Sequence, residues 1–145
     1  MLLAKQTLSL ALAKHLALAA EQNANEASLG VVIAVVDDGG NLLYLGRMEN
    51  APLGSVEVAH RKAKSAVMFK AETKDFEKGL AAGVQGLLSL DLIPFEGGVP
   101  LRVDGAIIGA IGVSGGTAAQ DGTIARAGAA ALGDMVPSQA AARPS

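Results

Sequence analysis

At 145 residues the chain suits one domain that buries about two-thirds of its unfolded surface. A net charge of −2 with 12 scattered Lys/Arg provides no basic stripe, which excludes nucleic acid as a partner. The chain has no cysteine, so disulfides, thiolate catalysis and Cys-based zinc or iron–sulfur centres are excluded too.

Half of the residues are hydrophobic, but 28 are alanine and only 4 are aromatic. Helices of this kind have few bulky anchors and complete their burial against another subunit, so the composition predicts a homo-oligomer. The segment from Leu3 to Asn23 reads as a helix, with Leu8, Leu12, His15, Leu16 and Ala19 on one stripe. Its first residues imitate a secretory leader, but Lys14 and His15 interrupt the apolar stretch, so a native helix in a cytoplasmic protein is expected. No apolar run approaches the roughly 20 residues that span a bilayer, and no membrane partner is expected.

Val31–Val36 and Leu42–Met48 read as strands around the turn Asp37-Asp38-Gly39-Gly40. Adjacent carboxylates on a strand would face opposite sides, so Asp37 and Asp38 suit turn entry better than acid/base work. Ser55 is expected to cap a helix reaching about Phe69, with Val56, Ala59, His60, Ala63 and Val67 inward and Arg61-Lys62-Ala63-Lys64 on a solvated face. Thr73 is expected to cap a third helix carrying Asp75 and Glu77 near its start. Phe76, Leu80 and Leu87 form its apolar side, and Gly79, Gly83 and Gly86 weaken it until it breaks around Asp91–Pro94.

Val99–Val103 and Ala106–Val113 flank Asp104-Gly105, a type I′ hairpin signal. Thr117 and Gln120 form a capping box that opens a last helix to about Leu132. Residues 1–134 are read as one domain and residues 135–145 as a flexible tail. The order of helices and strands predicts an α+β fold with helices packed on an antiparallel sheet.

Three motifs carry chemical meaning. Gly112-Val113-Ser114-Gly115-Gly116 fits G-x-S-x-G, but both histidines precede the serine, which fails the order of that hydrolase machinery. Glycines before a capped helix suggest an anion seat at Ser114, Gly115, Gly116 and Thr117. His15 and His60 each fall inside an apolar helical stripe, where an imidazole is either satisfied in packing or serves as an axial ligand to haem iron. Zinc lacks an H-x-x-x-H pair, and Met48, Met68 and Met135 suit core packing better than iron. Arg47 and Glu49 could anchor a carboxylate or each other.

The stretches VVDDGGNLLYLGRMENAPLGS, AHRKAKSA, FEGGVPLRVDGAIIGAIGVSGGTAAQD and ARAGAAAL resemble the GlcG/HbpS family, which includes haem-binding and haem-degrading proteins and the C-terminal domain of PduO. The resemblance runs from Val31 to Leu132. It implies a profilin-like layered α/β/α fold and a symmetric homo-oligomer, often an octamer. It also implies haem as cofactor, with His15, on the first helix, in a position like that of the family's helix-borne ligand. His60 does not match a family ligand.

The first expectation is therefore a cytoplasmic haem-binding protein, haem-degrading or iron-handling. His15 would be the axial ligand, and Arg47, Lys62 or Arg102 would be available to the propionates. The second is a small catabolic enzyme holding a carboxylated small molecule at residues 114–117, with Arg47 assisting and His60 or Glu49 as acid/base. The third is a non-catalytic oligomeric accessory protein.

Overall fold

The computed structural model describes residues 1–136. Its elements are α1 (Leu10–Glu26), β1 (Val32–Asp37), β2 (Leu42–Arg47), α2 (Ser55–Phe69), α3 (Thr73–Ala81), a 3₁₀ turn (Gln85–Ser89), β3 (Gly98–Val103), β4 (Ala106–Ser114), α4 (Ala118–Ala130) and α5 (Leu132–Met135). The strands form one antiparallel sheet in the order β2-β1-β4-β3. The α+β architecture expected from the sequence is the one observed.

β1 lies at the centre because it has no polar side. Val31, Ile33 and Val35 join a core with Leu16 and Ala20 of α1 and Ile124 of α4, while Val32, Ala34 and Val36 meet Ala59, Ala63 and Ala66 of α2. Side chains alternate along a strand, so one unbroken apolar run serves both faces of the sheet. The result is three layers: α1 and α4, the sheet, and α2.

Several local expectations hold. Asp104 and Gly105 have φ of 49° and 82°, the two positive values that a type I′ turn demands. Thr117 accepts from the Gln120 amide at 3.2 Å while the Gln120 side chain accepts from the Thr117 amide at 2.9 Å, which completes the capping box. Asp37 closes the first hairpin by accepting from the Gly39 and Asn41 amides, each at 2.9 Å.

Others are corrected. α1 begins at Leu10, not Leu3, because the Ser9 hydroxyl caps it by accepting from the Leu12 amide. Leu2 and Leu3 are exposed, whereas Leu8 is buried against β4 at Gly109. The preceding segment is tied down by Lys5 (2.7 Å) and Thr7 (2.7 Å), both on the Asp38 carboxylate. These bonds hold that carboxyl below its ordinary range and lift the Lys5 ammonium above its own.

Thr73 is not a cap. It is fully buried in the first turn of α3, and its hydroxyl accepts from the Gly98 amide at 2.8 Å, stitching α3 to β3. The 3₁₀ turn was not anticipated; Gly86 within it and Gly83 before it, at φ of 95°, explain why no α-helix continues there. Met68 and Met135 are about half exposed, so neither is core; Met48 does pack against the α1 side. Residues 137–145, most of the expected tail, lie outside the described residues.

Candidate functional site

α2 meets the sheet through alanine. Gly112 of β4 lets the helix backbone come so close that a Cβ there would strike the Ala59 carbonyl and the Ala63 amide. This contact sets the roll of the helix. Its buried face runs through Ser55, Ala59, Lys62, Ala63, Ser65 and Ala66, which brings Lys62 inside and moves His60 to the rim.

Lys62 is 3% exposed, which overturns its reading as part of a solvated face. Its ammonium donates to the Val113 carbonyl at 3.0 Å and to Asp121 Oδ2 at 2.9 Å, and the Asp121 side chain is equally buried. Asp121 Oδ1 in turn accepts from the Gly116 amide at 2.8 Å. The pair joins α2 to the start of α4 across the end of β4. A clue was present in the sequence: the helical neighbours of Lys62 at three and four residues are Val58, Ala59, Ser65 and Ala66, with no charge among them. Its partner, 59 residues away, left no sign.

This network corrects the expected anion seat. The Gly116 amide is engaged by Asp121 and the Thr117 amide by Gln120, so the loop offers those two donors to the chain's own side chains. The Ser114 hydroxyl bonds to the Ser55 hydroxyl at 3.2 Å and has no histidine partner, which removes the nucleophile reading. What remains is a crevice of about 220 Å³ lined by Val58, Lys62, Phe95, Ser114, Gly116, Ala118 and Asp121. Beside this network Arg126 bridges Glu72 (3.1 Å) and the buried Glu96 (2.9 Å). Burial works against the Arg126 charge, but the two carboxylates outweigh it and hold the guanidinium above its ordinary value.

The remaining predicted residues stand apart. Arg47 and Glu49 line two shared crevices at the end of β2, one with Glu21 and Tyr44 and the other with Asn50 and Leu53. His60 and Ser114–Thr117 line neither, so the structure does not assemble the expected carboxylate-processing set. Arg102 is exposed and donates to the Lys70 carbonyl at 3.2 Å. Lys62 lies buried on α2, in the layer opposite His15, so it is not placed to meet a propionate of a haem held there.

The two histidines sit in opposite helical layers. His60 Nε2 is covered from solvent and has no hydrogen-bond partner among the described residues. His15 is half-buried on the outer flank of α1, also without a partner among the described residues. Its neighbours at three and four residues are Ala11, Leu12, Leu18 and Ala19, an apolar collar around one imidazole. Further along the layer, α1 and α4 enclose a crevice of about 210 Å³ lined by Asn23, Ala27, Leu29, Ala119, Gln120, Thr123 and Ile124. The His15 surface is thus an apolar collar with one nitrogen ligand, and the crevice opens about two turns of α1 away. Its donor set suits haem, an apolar macrocycle whose iron takes a histidine.

Fold and site together define a layered α/β/α protein with an imidazole on its alanine-rich helical face. The chain belongs to the HbpS-like family, whose model, described as haem degrading protein HbpS-like, matches residues 8–130. Protein GlcG of Escherichia coli K12 is 41% identical over 111 residues, which cover 76% of this chain and 83% of GlcG. HbpS of Streptomyces reticuli, in a double-mutant form, superimposes with a TM-score of 0.85 at 36% identity, covering 91% of each chain. A complex of PduOC with haem superimposes with a TM-score of 0.75 at 34% identity, covering 86% of this chain and 94% of that one.

Proposed function

We propose that this chain is a cytoplasmic haem-binding protein that works as a homo-oligomer, with His15 as the axial ligand. The observation that carries the reading is the His15 imidazole, without a partner among the described residues, inside its apolar collar on α1. Membership of the HbpS-like family and the likeness to a haem-bound PduOC support it. Bound haem would supply an iron centre able to take ligands and change redox state. The chain's part is to present the His15 nitrogen, to cover the macrocycle with Leu12, Leu18 and the α4 alanines, and to keep water from the iron.

The collar around His15 covers only part of a haem, so the other face is assigned to a second copy of the chain. Arg47 and Arg102 remain the candidate partners for propionates, since both are exposed. The lack of cysteine fits a reducing compartment.

Hemin titration tests the proposal. The wild type should develop a Soret band that saturates near one haem per site, and His15→Ala should lose most of it. Equal affinity in the two proteins would remove His15 from that role. Light scattering after gel filtration tests the oligomer, and a monomer at micromolar concentration would contradict it.

A further inference from the structure

The crevice between α2 and α4 is bordered by polar hydrogens that find no acceptor among the described residues. An ammonium carries three N–H donors, and Lys62 uses two, on Val113 and Asp121. The Ser55–Ser114 pair holds two hydroxyl hydrogens and uses one between them, whichever serine donates. Ser55, Lys62 and Ser114 are each at least nine-tenths buried, and Lys62 and Ser114 line the crevice. Buried donors without acceptors are costly, so the two remaining hydrogens call for an acceptor in that space.

The geometry points to a binding site for a small organic monocarboxylate, distinct from the His15 surface and independent of the haem reading. Two donors match the two oxygens of one carboxylate. The Asp121 carboxylate beside them makes a doubly charged anion such as phosphate costly. Val58 and Ala118 form apolar walls, and the Phe95 ring, 53% exposed, stands at the mouth to meet an apolar tail. The seat for the anion is thus the Lys62 ammonium with the serine hydroxyls, and not the loop amides.

The test is a two-dimensional NMR titration of the full chain with sodium acetate and sodium benzoate, using benzamide and sodium chloride as controls. Both carboxylates should shift the Ser114–Gly116 amides saturably, with benzoate the tighter, and the controls should not. Removing Lys62 risks the fold, so Ser114→Ala carries the test and should weaken benzoate roughly tenfold, whereas Ser55→Ala leaves Ser114 its own hydrogen to donate and should weaken it less. Unchanged affinity in Ser114→Ala, or equal shifts with chloride, overturns the site. Tighter binding of phosphate than of acetate overturns the monoanion assignment. His15→Ala should leave the response intact, so failure here and failure of the haem reading are told apart.

Discussion

Lys62 and Asp121 show how much one side chain can contribute once it leaves water. Their Coulomb attraction and three hydrogen bonds offset a large desolvation cost, and removing either partner strands the other. Lys62→Met and Asp121→Asn should each lose about 3–5 kcal/mol in urea denaturation, and Lys62→Met with Asp121→Leu should lose much less than their sum. At the surface, Asp38 makes a weaker and pH-dependent tie. Its folded carboxyl is held below the ordinary range by Lys5 and Thr7, so the tie is complete at neutral pH and is lost as pH falls below about 4. Protection of the residue 5–8 amides, taken against the intrinsic exchange rate at each pH, should fall across that window, and Asp38→Asn should lack it at every pH. Neither partnership was legible in the sequence, because a carboxylate and an ammonium 59 or 33 residues apart share no periodicity.

At the scale of elements, strands and hairpins were easier to read than helices. Turns are fixed by neighbours a few residues apart, as at Asp104-Gly105, and both hairpins formed where expected. The start and roll of a helix depend on what it meets. Ser9 overrode an apolar pattern that ran on to Leu3, and Gly112 turned α2 so that Lys62 faced inward. The glycine that made residues 112–116 look like a hydrolase motif is therefore a seat for α2. Gly112→Ala should cost about 3 kcal/mol, at the upper end for overpacking, because the obstruction is backbone. Gly86→Ala, where a Cβ would meet nothing within 4 Å, should leave the urea midpoint almost unchanged.

For the molecule as a whole, the division into layers separates roles. The polar network ties α2 to α4 across the end of β4, and the outer α1–α4 surface holds small residues and the half-buried His15. Haem binding and self-association should therefore fail together on one face without touching the core. Leu18 is 52% exposed beside His15, and Leu18→Glu should reduce both hemin affinity and oligomer mass while leaving the melting temperature of the chain within a few degrees. The α+β architecture was visible in the sequence through the order of helices and strands, and the unbroken apolar β1 explains why both faces of the sheet are covered. The site was only half visible: the sequence marked His15 and the 114–117 loop, but it did not show which donors the loop would already have engaged.

The rims of the sheet carry a further consequence. β3 is one rim, and Pro100 has no N–H to offer a newcomer; the ladder also slips between Leu101 and Arg102. At the other rim, β2 is out of step with β1 at Val35/Val36 and has Gly46 near its end. Both borders are thus poor templates for strand addition, which guards an oily, alanine-rich chain against fibrous growth through the edges of its sheet.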